Sequence, residues 1–272
     1  MTAAPVRLGV LGDPLVLTRS PDLHRAGLAA LGIAGDSVAL RTPAATLGGR
    51  LADLAAQGYL GVNLTHPLKE AALAHVARVS EEARLARSIN TIGLAADGAW
   101  GDTTDGPGFV DLLRSLGRDP ARERAVFLGA GGAARSVALA LAAAGAPGTI
   151  ASARRPEDVR EAWRDVPGAG IVTWGSPDQA EALAGATLVI NATPLTGDSG
   201  PIAPESAPPK ALIVDMVYGD GITSWVRRAR ADGREAYDGL GLLVFQARRS
   251  LALWLGRPVP LDPLARAVGW PR

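Results

Sequence analysis

An asparagine, a threonine and a lysine crowd the end of one apolar run, in Gly61-Val62-Asn63-Leu64-Thr65-His66-Pro67-Leu68-Lys69. Successive strand residues point to opposite faces, so Asn63 and Thr65 are expected to share one. Pro67 cannot pair in a ladder and closes the strand, which places Lys69 at the start of a helix through Glu70-Ala71-Ala72-Leu73. Two neutral hydrogen-bonding groups and one ammonium then converge on a strand end. That set suits a small polyhydroxylated or carbonyl ligand better than a phosphate or a peptide. The alternative is a plain strand, turn and helix with an incidental surface lysine.

A second chemical signal is Gly129-Ala130-Gly131-Gly132-Ala133-Ala134, which follows the apolar run Ala125-Val126-Phe127-Leu128 and opens an Ala-rich helix. In that context the first glycine permits the tight turn and the second lets backbone approach a pyrophosphate. The small third residue allows close packing of helix on strand. The pyrophosphate would meet free amides at the helix start. The next strand ends Ser152-Ala153-Arg154-Arg155, without the acid that usually accepts a ribose 2′-hydroxyl. A carboxylate there would repel a 2′-phosphate, whereas a guanidinium can grip it with two bonds. Arg154 and Arg155 therefore point to NADP; otherwise they are solvated arginines at a helix entry. A third block, Leu188-Val189-Ile190-Asn191-Ala192-Thr193-Pro194-Leu195, ends another strand, and its loop, with Thr193, is expected near the nicotinamide or else is a structural turn.

Bulk composition narrows the field. The net charge is +1 and only 4% of residues are aromatic, so neither a basic field nor stacking platforms favour nucleic acid. Cysteine is absent, which removes disulfides, thiolate metal sites and cysteine nucleophiles. The three histidines, His24, His66 and His75, lack metal-ligand spacing, and His75 reads as a surface residue. No metal site is expected. The opening residues run straight into a strand pattern without a long apolar core, and no apolar run suits a bilayer. A soluble, cytoplasmic protein is expected, with a small-molecule substrate and no nucleic-acid or membrane partner.

The elements that must position these groups alternate along the chain. Strands are expected at residues 6–11, 38–40 and 59–64, with helices at 21–31, 44–57 and after Lys69. The pattern restarts with strands at 125–128, 149–152, 188–190 and 212–214, and a helix at 132–144. Alternation of this kind favours sheets of mostly parallel strands flanked by helices. At 272 residues the chain suits two domains. Residues 101–108 read as the crossing between them, and residues 201–209 as a proline-rich loop. A final apolar helix, 242–255, must bury itself, and a return to the first domain would achieve that.

Taken as an ordered set, these blocks resemble the shikimate dehydrogenase family over essentially the whole chain. Gly12-Asp13-Pro14 with Thr18-Arg19-Ser20-Pro21 and His24 is similar to its N-terminal signature, and residues 61–69 to its lysine block. Ser88-Ile89-Asn90-Thr91, Gly101-Asp102-Thr103-Thr104-Asp105-Gly106, the glycine loop, Asp215-Met216-Val217-Tyr218 and residues 239–246 follow in the family's order. The resemblance implies an α/β fold of two domains. A mostly parallel substrate domain would span residues 1–105, completed by 239–272, and an NADP-binding Rossmann domain residues 106–238. It implies reversible NADPH-dependent reduction of 3-dehydroshikimate to shikimate by a monomer or homodimer.

Residue by residue, Thr18 and Ser20, helped by Tyr218, would bind the substrate carboxylate. Asn63, Thr65, Asn90, Asp105 and Gln246 would surround the ring hydroxyls, and Lys69 with Asp105 would form the catalytic pair. The NADP contacts would come from Gly129, Ala130, Gly131, Gly132, Ala133, Arg154, Arg155, Thr193 and Gly239. Hydride delivery to a ketone leaves an alkoxide that needs a proton or a cation at once, and an ammonium can supply either. Lys69 is thus a proton donor, or a fixed cation beside a water that donates.

The chain departs from the family at Leu17 and Thr18, where His and Ser are common, at Thr103, where Asn is common, and after Thr193, where Gly-Met is usual. The added methyl group of Thr18 is expected to narrow or reshape the carboxylate pocket. A paralogue preferring quinate or another cyclitol acid is the nearest alternative. Further off are a non-catalytic NADP-binding sensor and a folate-interconverting dehydrogenase.

Overall fold

A computed structural model describes residues 4–15, 18–195 and 200–272. The α/β class expected from the sequence is observed. Contacts divide the chain into two units. The first holds the described residues up to Gly108 together with Leu243–Pro271, and the second holds Phe109–Leu242 and Arg272.

The first unit is built on β1 (Val6–Gly12), α1 (Ser20–Ala30), β2 (Gly35–Arg41), α2 (Leu47–Ala56) and β3 (Gly61–Leu64). It continues through α3 (Leu68–Ala71), β4 (Arg78–Val79), α4 (Glu81–Ala86), β5 (Thr91–Ala95), β6 (Gly98–Asp102) and the start of α5 (Asp105–Ser115). Its sheet runs β2-β1-β3-β5-β6-β4. β1 pairs in parallel with β2 and β3 and is flanked on both sides, so Leu8, Val10 and Leu11 are buried. Each fully buried leucine contributes about 1.5–3 kcal/mol of hydrophobic stabilisation.

The sheet is more mixed than the alternating pattern suggested. β5 is antiparallel to both β3 and β6. A two-residue connection, Ala96-Asp97, joins β5 to β6, with Gly98 beginning the return strand opposite Ala95. An Asp-Gly pair between short strands is a strong local hairpin signal, but reading residues 88–91 and 101–106 as separate blocks hid it. The consequence for the site is large. β1, β3 and β6 end, and β5 begins, at the same edge of the sheet, as the pairs Asn63↔Thr91 and Thr91↔Asp102 show.

The second unit carries β7 (Ala125–Leu128), α6 (Gly132–Ala143), β8 (Thr149–Ala153), α7 (Pro156–Trp163), β9 (Ala169–Thr173) and α8 (Pro177–Ala184). β10 (Leu188–Asn191), β11 (Leu212–Asp215), α9 (Ser224–Ala231) and β12 (Ala236–Tyr237) complete it. All strands are parallel, in the order β12-β11-β10-β7-β8-β9, a doubly wound sheet. The winding direction reverses between β7 and β10, which opens a crevice at their carboxyl ends. The proline-rich stretch forms a short 3-10 turn at Pro204–Ser206.

α10 (Leu240–Leu255) enters from the second unit, and most of it belongs to the first, as does α11 (Leu261–Val268), which packs on α1. Trp254 of α10 donates its indole N–H to the Ile92 carbonyl, tying the helix to β5. Among the described residues no helix is long and apolar enough to cross a membrane.

Candidate functional site

The polar residues at the convergent edge of the first sheet form one connected cluster. Lys69, on the single turn of α3, reaches Asp105 at the start of α5, with Nζ 2.6 Å from Oδ2. The lysine side chain keeps 24% of its surface exposed and the aspartate only 7%, so the pair is open to a ligand from the lysine side. The other carboxylate oxygen of Asp105 accepts from Asn90 Nδ2 at 2.8 Å. The Asn90 amide also faces Thr104 Oγ1 at 3.0 Å and Gln246 Oε1 at 3.2 Å. Its own Oδ1 accepts the Thr104 backbone N–H at 2.8 Å, which fixes the orientation of the carboxamide. Gln246 donates to the Leu243 carbonyl one turn back on α10. Lys69, Asn90, Asp105 and Gln246 are therefore brought together.

Thr18 and Ser20 follow β1. The Ser20 backbone N–H faces Thr18 Oγ1 at 3.4 Å, where α1 begins. Leu17, the neighbouring departure from the family pattern, lies outside the described residues, as do residues 196–199 of the loop after Thr193.

β3 ends at Leu64, and the Thr65 backbone N–H still donates to the Leu11 carbonyl of β1 at 2.9 Å. Thr65 is half-buried, and its methyl sits where a side chain on Gly12 would be; the bare backbone of Gly12 is what admits it. Asn63 is buried, with its Nδ2 facing the Asn90 carbonyl at 2.8 Å, Ser250 Oγ at 3.0 Å and Thr91 Oγ1 at 3.1 Å. Its Oδ1 faces His24 Nε2 at 2.9 Å. Asn63 is thus engaged by the protein rather than displayed.

His24, Thr91, Thr104 and Ser250 were not singled out as site residues from sequence. His24 stood in the N-terminal signature without a role; for the others the available signal was position, since Thr91 and Thr104 abut residues that were singled out and Ser250 lies four residues from Gln246, on the same helix face.

Full burial lowers the His24 pKa from 6.5 to about 4; the bond to Asn63 opposes this and the nearby Arg25 charge reinforces it. The groups facing the ring are Ser37 on β2, Asn63 on β3 and the Trp254 indole on α10, whose ring centre is 5.4 Å away. A lowered histidine pKa means that the unfolded chain binds the proton more tightly. The stabilisation is therefore complete above pH 6.5 and is lost as pH falls from 6.5 towards 4, in total about 3 kcal/mol. Urea midpoints measured across that interval should fall for the wild type and fall less for His24→Gln. Equal slopes would exclude His24 as the source.

In the second unit the glycine loop follows β7. Gly129 has φ +105°, and a side chain there would strike the Ala192 backbone and Thr193 Cγ2 at the end of β10. Only glycine suits that turn. Ala130 is pinned by its carbonyl, which accepts the Trp163 indole N–H at 2.9 Å. Gly131 precedes α6, and a side chain built on it would meet nothing within 4 Å. No side chain caps the first amides of α6, among them those of Gly132 and Ala133. An open cradle and uncapped amides at a doubly wound switch point fit a dinucleotide pyrophosphate.

Arg154 and Arg155 are exposed just after β8. Arg155 pairs with Asp158 at 3.0 Å, whereas Arg154 has no hydrogen bond or ion pair among the described residues. The Thr193 hydroxyl donates to Asn191 Oδ1 at 2.6 Å. Asn191 in turn donates to Asp215, which also accepts from Thr223 and the Val217 N–H. Burial pushes the Asp215 carboxyl above its ordinary value although all three bonds pull the other way. This clamp joins the loops after β10 and β11. Tyr218 follows in the second loop, half-buried, and Gly239 is buried with its N–H donated to the Val217 carbonyl.

Comparison with known proteins gives a consistent result. The family model described as "Shikimate dehydrogenase substrate binding domain" matches residues 10–92. The shikimate dehydrogenase (NADP(+)) of Acidiphilium cryptum is 40% identical over 265 residues, covering 96% of this chain and 94% of the relative. That of Rhodospirillum rubrum is 40% identical over 273 residues, with 96% and 95% covered. Among solved structures, the shikimate 5-dehydrogenase of Thermus thermophilus in complex with NADP(H) and shikimate superposes with a TM-score of 0.86 at 35% identity. The alignment covers 97% of this chain and 98% of that one. The ligand-free 5-ketofructose reductase of a Gluconobacter strain is also similar, with a TM-score of 0.84, 26% identity and 98% of each chain covered.

Proposed function

The chain belongs to the shikimate dehydrogenase family, and from that membership we infer that it reduces 3-dehydroshikimate reversibly to shikimate with NADPH. The observation that carries the site assignment is the Lys69–Asp105 pair, half open to a ligand and braced from behind by Asn90. Bound NADPH supplies a hydride to the C3 carbonyl carbon. As charge grows on the C3 oxygen, the Lys69 ammonium stabilises it, and the proton that completes the C3 hydroxyl comes from Lys69 itself or from a water beside it. Asp105 holds Lys69 in place and accepts a hydrogen bond from the neighbouring ring hydroxyl. Asn90 holds Asp105, and Gln246 adds a further polar contact for the ring. The hydroxyls of Thr18 and Ser20 take the substrate carboxylate.

In the second unit Gly129, Ala130, Gly131, Gly132 and Ala133 would hold the pyrophosphate, with Thr193 and Gly239 lining the same crevice. Arg154 would take the 2′-phosphate, assisted by Arg155. A cytoplasmic location and a monomeric or homodimeric state belong to the same proposal.

A 5-ketofructose reductase has a similar fold, so the fold alone does not fix the substrate. The deciding assay offers shikimate or quinate with NADP⁺ or NAD⁺ and follows the absorbance of the reduced nicotinamide. Shikimate with NADP⁺ should have the highest kcat/KM. Faster turnover of quinate would assign the chain to the alternative branch.

A further inference from the structure

The catalytic pair stands at one end of a buried line of hydrogen bonds that runs through His24, a histidine that no ligand could reach, to Ser37. The direction of each bond follows from groups that can act in one sense only. The Asn90 carbonyl can only accept, so the Asn63 atom 2.8 Å from it is the amide nitrogen. Asn63 Oδ1 therefore faces His24, and because it too can only accept, His24 Nε2 carries the hydrogen. The ring is neutral, which leaves Nδ1 to accept from the Ser37 hydroxyl at 2.8 Å.

On the far side Asn63 Nδ2 donates to Thr91 Oγ1 at 3.1 Å, and Thr91 Oγ1 donates to Asn90 Oδ1 at 2.9 Å. Asn90 Nδ2 donates to Asp105 Oδ1 at 2.8 Å. Every link from Ser37 to Asp105 runs in the same sense, and bonds so aligned polarise one another. Ser37, His24, Asn63, Thr91, Asn90 and Asp105 are all at most 5% exposed, so water does not substitute for any of them.

We propose that His24 is a positioning residue for the reaction. By donating to Asn63 it holds the Thr91–Asn90 relay in register and thereby sets the aim of the Asp105 carboxylate beneath Lys69. The same arrangement makes Asn63 part of the support rather than a contact for the ring hydroxyls. Neither residue touches the reacting atoms. A displaced carboxylate would misplace the ammonium, and errors of about an ångström in such groups cost about a hundredfold in rate. The inference rests on Lys69 and Asp105 being the catalytic pair.

The test compares wild type, Lys69→Ala, His24→Phe, His24→Gln and Thr91→Val, each by melting curve and by steady-state kinetics with shikimate and NADP⁺, well below its melting temperature. His24→Phe fills the space but removes the donor. It should lower kcat about ten- to a hundredfold with the KM for shikimate changed less than about threefold. His24→Gln offers an amide to Asn63 Oδ1 and should restore most of that loss. Thr91→Val cuts the relay in the middle with nearly the same volume, and should reproduce the His24→Phe defect even if His24→Phe itself does not fold.

A purely structural histidine would lower the melting temperature of both His24 variants and leave kcat per folded molecule unchanged; that result overturns the proposal. So does a normal kcat in folded Thr91→Val. Turnover abolished in Lys69→Ala but intact in the relay variants would retire the relay alone. A wild type inactive with shikimate, or a Lys69→Ala enzyme of normal rate, would remove the assignment beneath it.

Discussion

Lys69→Ala is expected to lower kcat by about 10²- to 10⁴-fold while the KM for shikimate changes only a few-fold. General acid catalysis contributes that much, and the ammonium matters most when charge has developed on the oxygen. The variant also leaves the buried Asp105 carboxylate with Asn90 as its remaining partner among the described residues. Stranding a buried charge costs about 3–5 kcal/mol, so a melting curve must accompany the kinetics. A normal kcat in the folded variant would refute the assignment.

The same variant separates the two roles open to Lys69. Small primary amines added to the cavity should restore activity. If the lysine gives up the proton, the restored rate will vary with amine basicity. If it serves only as a fixed cation beside a donating water, amines of one size will restore activity equally.

Arg154→Ser should raise the KM for NADPH about ten- to a hundredfold and change the KM for NADH far less. Hydrogen bonds to a charged group are worth about 1.5–3 kcal/mol, and each 1.4 kcal/mol is a factor of ten. The exposed guanidinium is uncommitted among the described residues, whereas that of Arg155 is already shared with Asp158. Arg155→Ala should therefore have the smaller effect. High salt should narrow the difference between wild type and Arg154→Ser, because screening weakens exposed charge pairs. Equal losses with both cofactors would mean that Arg154 acts on the loop and not on the 2′-phosphate.

Much of the second unit was legible in the sequence because its signals are local. A buried strand, a glycine turn and an uncapped helix start are adjacent in the chain, and the turn at Gly129 depends on a backbone angle that a side chain would resist. The first unit was legible only in part. Lys69 and Asp105 stood out by type and by family resemblance, yet their meeting depends on a hairpin, β5–β6, that turns the chain back so that Thr103-Thr104-Asp105 arrives beside Asn90.

The sequence by itself determined the α/β class, the dinucleotide loop, the arginines in place of an acid at the end of β8 and the residue types available for a ketone reduction. These follow from chain-local rules: periodicity, turn chemistry and charge. Which of those residues meet was decided by the tertiary structure. His24, Asn63, Thr91, Asn90, Asp105 and Ser250 come from α1, β3, the start of β5, the start of α5, and α10, and no spacing in the chain encodes their contacts. Only in the packed unit do buried polar atoms have to find partners among distant segments, since water is excluded and an unpaired group there costs about 1–3 kcal/mol. That requirement turned Asn63 inward and left the outward face of the pair to Lys69.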